Sequence, residues 1–228
     1  MPELLARAEY LPAAQQARAD LVLLHGWAGS SECWRPLLAA LRRWANVTLI
    51  DWRPGADLAD VVAEVLAVAP ASAVYVGWSL GGQLATAVAS RAPQRVAGLV
   101  TVASNPRFLA EGSWPGVAAA QLAGFQAGLA ADAGGTLRRF SALQSRGCAA
   151  ERALARQLVA QSRGWDAVAL TAGLQWLAEL DTRSLLPALA CPQQHLLAEA
   201  DALVPGAVHE ALCGWLAGVA EASVSVIP

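Results

Sequence analysis

The sequence predicts an α/β fold: a mainly parallel sheet covered by helices on both faces, with a helical cap inserted before the last strands. Three observations carry this. Across residues 21–103, short apolar runs rich in β-branched residues alternate with helix-forming stretches, the rhythm of strand–helix–strand units. The run Leu21-Val22-Leu23-Leu24 is apolar without alternation, as a parallel strand buried on both faces is. Finally, Gly77-Trp78-Ser79-Leu80-Gly81 spells G-x-S-x-G where a strand hands over to a helix, the context of a nucleophile elbow.

The elements follow in order. Residues 1–19 are Ala/Gln/Arg-rich and weakly patterned, and no strand is read there. Leu21-Val22-Leu23-Leu24 ends in the loop His25-Gly26-Trp27-Ala28-Gly29-Ser30, and residues 34–44 read as a helix. Val47-Thr48-Leu49-Ile50-Asp51 is the next strand, stopped by Arg53-Pro54-Gly55. Residues 58–68 are helical, with apolar positions at Leu58, Val61, Val62, Val65 and Leu66. Ala73-Val74-Tyr75-Val76 leads into the G-x-S-x-G turn, and residues 82–89 form its helix. Residues 96–103 are a strand broken by Ser104-Asn105-Pro106. From 107 to 186 helical periodicity replaces strand signals, with breaks at Gly134-Gly135, Gly147 and Gly164. That segment is read as a cap over the sheet's carboxyl edge, leaving 1–106 and 187–228 as the core. Residues 194–198 return to strand, Asp201-Ala202-Leu203-Val204-Pro205 is a loop, residues 208–216 are helical and 222–227 form a last strand.

Composition bounds the function. The chain has 228 residues and is 56% hydrophobic, enough for one sizeable core. Its net charge of −2 does not suggest nucleic acid, although all sixteen basic residues are arginine. The start, Met1-Pro2-Glu3-Leu4-Leu5, lacks the basic and apolar regions of a signal peptide. No apolar run reaches the roughly 18 residues of a membrane span. Cys33, Cys148, Cys191 and Cys213 show no metal-ligand spacing and are expected to be free, mostly buried thiols, so the expectation is a cytoplasmic protein without metal.

A serine hydroxyl needs a base within hydrogen-bond reach and a carboxylate to orient that base. Small residues around Ser79 permit the sharp turn that projects its Oγ at a helix head. In elbow enzymes the order along the chain is serine, acid, histidine. Asp201, after the strand that follows the cap, is the candidate acid; a turn or helix-cap aspartate is the structural alternative. Asp51 is expected to fix the Arg53-Pro54-Gly55 turn. The three histidines are poorly placed for the base. His25 precedes the serine and is expected to shape the oxyanion loop, His195 sits in a strand pattern, and His209 reads as a solvated helix residue. The usual position falls a few residues past Pro228, so the expectation is that the chain stops before its catalytic histidine and closing helix. The oxyanion donors are expected to be the main-chain N–H groups of Leu80 and Trp27. Trp27 and Trp78 either wall the acyl pocket or simply pack.

Several motifs together resemble a known family. Leu21-Val22-Leu23-Leu24-His25-Gly26-Trp27, Gly77-Trp78-Ser79-Leu80-Gly81-Gly82 and Leu99-Val100-Thr101-Val102-Ala103-Ser104 are shared by many α/β-hydrolases. Trp114-Pro115-Gly116, Gly124-Phe125-Gln126, Arg139-Phe140-Ser141-Ala142-Leu143-Gln144 and Asp201-Ala202-Leu203-Val204-Pro205 are similar to the pimeloyl-[acyl-carrier protein] methyl ester esterases of biotin synthesis. The likeness runs from about Leu21 onward, departing in the unreadable first strand and the missing histidine loop. It implies an α/β-hydrolase fold and hydrolysis of the methyl ester of a pimeloyl chain carried on acyl carrier protein, by a monomer needing no cofactor. It also implies that Trp27, Ser79, Leu80, Phe140 and Gln144 bind substrate, and that Arg139, Arg152 and Arg156 bind the acidic carrier. Phe140 and Gln144 share a helix face by their i, i+4 spacing, as do Arg152 and Arg156. Cap packing is the alternative for Phe140, and a solvated helix face for the arginines. Residues 107–186 hold eight arginines and six acidic residues, too small a surplus to decide. A general carboxylesterase or thioesterase, and a catalytically silent binding scaffold, remain as the other readings.

Overall fold

The structure is a computed structural model that describes residues 5–228. The reading of a missing signal peptide falls largely on residues 1–4, outside the described residues. Seven strands form one sheet in the order β1-β3-β2-β4-β5-β6-β7. They are β1 (Ala6–Leu11), β2 (Ala19–Leu24), β3 (Ala45–Trp52), β4 (Ala73–Trp78), β5 (Val96–Val102), β6 (Gln193–Ala198) and β7 (Ala222–Ile227). All neighbours pair in parallel except β1, which runs antiparallel to β3. The helices are α1 (Leu38–Leu41), α2 (Leu58–Val68), α3 (Leu80–Arg91), α4 (Ala119–Ala131), α5 (Ala133–Gln144), α6 (Glu151–Gln161), α7 (Ala167–Glu179) and α8 (Ala207–Trp215). Among the described residues no helix is long and apolar enough to cross a membrane.

The period-2 alternation of strand side chains divides the core in two. Val22, Leu24, Ile50 and Tyr75 join the larger cluster with α2, α3 and the helices between β5 and β6. Leu21, Leu23, Val47 and Leu49 face the other way, onto Trp34 and Leu38. Because Leu21–Leu24 of β2 is buried on both faces, that stretch is apolar without a break, and this made it readable.

Four expectations are corrected. Residues 1–19 do contain a strand, β1; only Ala6 in it is buried, so an edge strand leaves little apolar signal. Residues 34–44 are not one helix. A 3-10 helix, Ser31–Leu37, contains Pro36, whose missing N–H and ring disfavour α-helix, and only the short α1 follows. The break expected at Gly134-Gly135 lies two residues earlier, because Asp132 caps α5 by accepting from Gly135 N–H at 2.8 Å. The cysteines are not mostly buried: Cys148, in the turn before α6, and Cys213, on the outside of α8, are exposed, and Cys33 and Cys191 are half-buried.

Candidate active site

The site forms where the carboxyl ends of β2, β4 and β5 meet. Three non-glycine residues there have positive φ: Ala28 (55°) after β2, Ser79 (54°) after β4 and Ala103 (45°) after β5. Such backbone strain persists only where its surroundings hold it, and it concentrates at functional sites. Ser79 is the N-cap of α3. Its N–H donates to Val102 O at 2.9 Å, and its carbonyl accepts from Gly82 N–H at 2.9 Å and from Ser104 Oγ at 2.7 Å.

Glycine is required where the turn closes on itself. A Cβ at Gly77 would overlap the Gly81 carbonyl, and one at Gly81 would lie 2.5 Å from Leu24 O. The loop after β2 presses equally close, since a Cβ at Gly26 would lie 3.1 Å from Ser79 Cβ. Ser79 therefore sits between the loop that carries Trp27 and the head of α3. Leu80 and Trp27 are buried, yet neither main-chain N–H has an acceptor among the described residues. Buried N–H groups almost always find a partner, so two free ones beside a strained serine are a place for a negatively charged oxygen.

The Trp27 side chain points away into the helices. Its Nε1 donates to Leu170 O of α7 at 2.9 Å, and its ring meets Phe140 edge-on at 4.7 Å between centroids. Phe140 in turn meets Phe125 of α4 at 5.8 Å. Beyond these rings an open cavity of about 510 Å3 is lined by Gln121, Phe125, Arg139, Leu143 and Arg146 among others. Gln144 lies half-buried at the end of α5, one turn from Phe140. Trp78 packs with Val74, Val76 and Val102 on the opposite face of the sheet. Arg139, Arg152 and Arg156 are all exposed, and among the described residues none forms an ion pair; Arg139 donates to Thr136 Oγ1 at 2.9 Å.

Asp201 follows β6 at the same sheet edge. Its Oδ1 accepts from Leu203 N–H at 2.8 Å and Val204 N–H at 3.0 Å, while Oδ2 makes no hydrogen bond among the described residues. None of the histidines bonds to Ser79. His25 is 1% exposed and stacked on Trp52, which stacks on Trp176. Its Nε2 accepts from Trp52 N–H at 3.2 Å, so Nδ1 carries the proton and donates to Gly26 O at 2.9 Å. Burial pushes its pKa down to about 4. His25 thus holds the loop after β2 as a neutral strut. His195, 2% exposed in β6, bonds Thr101 Oγ1 through Nδ1 at 2.8 Å, and burial lowers its pKa to about 4 as well. His209, on α8, lies 3.8 Å from Cys213 Sγ.

Asp51 does not serve the Arg53-Pro54-Gly55 turn. Its carboxylate accepts from Ser31 N–H at 2.6 Å and from Ser31 Oγ at 2.9 Å, tying β3 to the segment after the β2 loop. The ring stack, the Trp165 Nε1 bond to Gly29 O at 2.7 Å and the contact of Gly173 with Trp27 were not read from sequence. They join residues far apart in the chain, and only the number of tryptophans, nine, hinted at them.

A family model described as alpha/beta hydrolase fold matches residues 21–220. A pimeloyl-[acyl-carrier protein] methyl ester esterase from Edwardsiella ictaluri is 42% identical over 200 residues, covering 82% of this chain and 77% of that protein. The chain belongs to this esterase family of α/β-hydrolases. A biotin biosynthesis bifunctional protein from Cellvibrio japonicus is 39% identical over 212 residues, covering 86% of this chain and 41% of the longer protein. Among solved structures, an esterase from Exiguobacterium antarcticum superposes with a TM-score of 0.84 over 98% of this chain and 87% of its own, at 16% identity, a likeness of fold. The α/β-hydrolase sheet expected from the sequence is thus the one found. In this fold the elbow at Ser79 occupies the carboxyl edge of the sheet, and the chain is a carboxylic ester hydrolase by descent.

Proposed function

We propose that this hydrolase cleaves the methyl ester of pimeloyl-acyl carrier protein in biotin biosynthesis. The observation that carries the reading is the strained Ser79 at the head of α3, with the N–H groups of Leu80 and Trp27, unpaired among the described residues, beside it. Ser79 Oγ attacks the ester carbonyl carbon, and the two N–H groups stabilise the tetrahedral oxyanion. Methanol leaves with a proton, and water then hydrolyses the acyl-enzyme to free the pimeloyl carboxylate and regenerate Ser79. Asp201, with Oδ2 free of hydrogen bonds among the described residues, is the acid that orients the base. The base is none of His25, His195 and His209, whose placements leave Ser79 without an imidazole partner.

The residues 107–186 act as a cap on a core of 1–106 and 187–228. Phe140 and Gln144 line the acyl path together with Trp27, supported by the aromatic contacts that lead from the Ser79 loop toward the open cavity. Arg139, Arg152 and Arg156 receive the acidic carrier protein, a role favoured by their exposure and by their having no carboxylate partner among the described residues. The reading takes the protein as a cytoplasmic monomer.

Methanol release from methyl pimeloyl-acyl carrier protein tests this, with imidazole added in solution as the base. A Ser79-dependent rate that rises with imidazole, and is higher at equal concentration than with p-nitrophenyl acetate, supports the reading. Preference for the short ester points to a general esterase. No Ser79-dependent release of either product leaves the silent scaffold.

A further inference from the structure

Ser104 stands at the elbow without a part in the steps above. Ala103, with φ of 45°, turns the chain out of β5, and its N–H donates to Leu196 O at 2.7 Å, which anchors the turn on β6. The turn places Ser104, buried, under the elbow, where its Oγ donates to the Ser79 carbonyl oxygen at 2.7 Å. That oxygen and the Leu80 N–H belong to one planar trans peptide unit and point in opposite directions. Whatever fixes the oxygen therefore fixes where the Leu80 N–H points. Gly82 N–H grips the same oxygen from the helix side at 2.9 Å.

The same contact explains the extra glycine after the G-x-S-x-G motif. A Cβ at Gly82 would lie 2.5 Å from Ser104 Oγ and 2.6 Å from Ser104 Cβ. Position 82 lies in α3, where glycine is disfavoured relative to alanine, and the space it leaves is filled by Ser104. The φ of 54° at Ser79 makes the peptide a strained one, with a lower-energy backbone available if the grip is lost.

We propose that Ser104 is a positioning residue of the oxyanion site: its hydroxyl locks the Ser79–Leu80 peptide so that the Leu80 N–H faces the reacting carbonyl, and Gly82 is glycine to admit it. The assignment rests on Ser79 being the nucleophile and Leu80 an oxyanion donor. It is tested in the full chain with Ser104→Ala and Gly82→Ala by two readouts. The first is amide hydrogen exchange of Leu80 relative to Leu84, one turn further along α3. Both variants are expected to speed Leu80 exchange on the order of fivefold, because the Ser79–Leu80 peptide swings out of its buried place more often once the Ser104 bond to the Ser79 carbonyl, equivalent to about 1 kcal/mol, is lost, with Leu84 unchanged. The second is imidazole-supported hydrolysis of p-nitrophenyl acetate. Both are expected to lower kcat by about tenfold with KM unchanged, short of the 10²–10³-fold lost when an oxyanion donor is removed. Equal exchange at Leu80 in wild type and both variants overturns the proposal, as does a parallel rise at Leu80 and Leu84, which marks general loosening. If the wild type shows no Ser79-dependent hydrolysis, the nucleophile reading fails, and the exchange ratio alone decides what Ser104 does to the peptide.

Discussion

Alanine in place of glycine inside a helix ordinarily stabilises, and Gly173 in α7 is predicted to do the opposite. A Cβ there would overlap Trp27 Cδ1, lie 2.8 Å from Trp27 Nε1 and 3.2 Å from Pro54 Cγ. The indole is held by its bond to Leu170 O and by the edge contact with Phe140, so it has nowhere to retreat. Gly173→Ala gains about 1 kcal/mol of helix propensity. Against this stand about 1–3 kcal/mol of overpacking and about 1 kcal/mol for the displaced indole hydrogen bond. The net is a loss of about 1–3 kcal/mol. Gly124 in α4 is the internal control, because nothing lies within 4 Å of its Cβ position. Gly124→Ala is predicted to gain up to about 1 kcal/mol, raising Tm by about 2–4 °C in a chain of this size. Urea midpoints and tryptophan fluorescence of the two variants decide the matter. Equal stabilisation by both would refute the close packing of Trp27 on α7, and with it the anchoring of the loop that presents the Trp27 N–H.

Three further outcomes are expected. His25 and His195 have pKa values lowered to about 4 by burial, against 6.5 in the unfolded chain, so the unfolded state binds more protons between those limits. Stability is therefore full above pH 6.5 and falls as pH drops toward 4, by about 2 kcal/mol per histidine at pH 5; the pH dependence of urea midpoints across this range should fall by about half in His195→Gln, where His25 still titrates, and an unchanged slope would contradict the assignment. Reversing Arg152 and Arg156 to glutamate leaves unfolding free energy within about 0.5 kcal/mol, since both are exposed and unpaired among the described residues. The same double variant weakens binding to acyl carrier protein on the order of tenfold to a hundredfold, with the difference shrinking in high salt, while hydrolysis of a small ester is spared. Equal loss on both would remove these arginines from the carrier surface.

The parts of the fold legible in the sequence were those whose local chemistry matches their burial. Leu21–Leu24 of β2 is apolar on both faces because both are covered there, and α2 shows its buried stripe of Val61, Val62 and Val65 in the sequence. The elbow was legible because Gly77 and Gly81 have no sterically allowed substitute. β1 was not, because its residues beyond Ala6 are mostly exposed and its pairing with β3 is a main-chain matter. Asp51 was misread because its partner, Ser31, is brought to it only by the tertiary fold. Similarly, Ser104 reads as a strand breaker until its hydroxyl is seen on the Ser79 carbonyl. The expected oxyanion donors and acid lie at the sheet edge with the elbow, and the histidines prove to be tied up by Trp52, Gly26 and Thr101 or set apart on α8. The residues proposed for acyl chain and carrier were named only through family resemblance, since exposed arginines and a buried phenylalanine carry no signature of their own.

The central claim, that Ser79 is a nucleophile with its oxyanion site formed and its base not among the chain's histidines, is most directly tested by intact-mass measurement of fluorophosphonate labelling. A single adduct on Ser79 is expected, slow in buffer alone, accelerated by added imidazole and absent from Ser79→Ala. Rapid Ser79 labelling that is indifferent to imidazole would contradict the claim about the base. Labelling that survives Ser79→Ala would contradict the claim about the nucleophile.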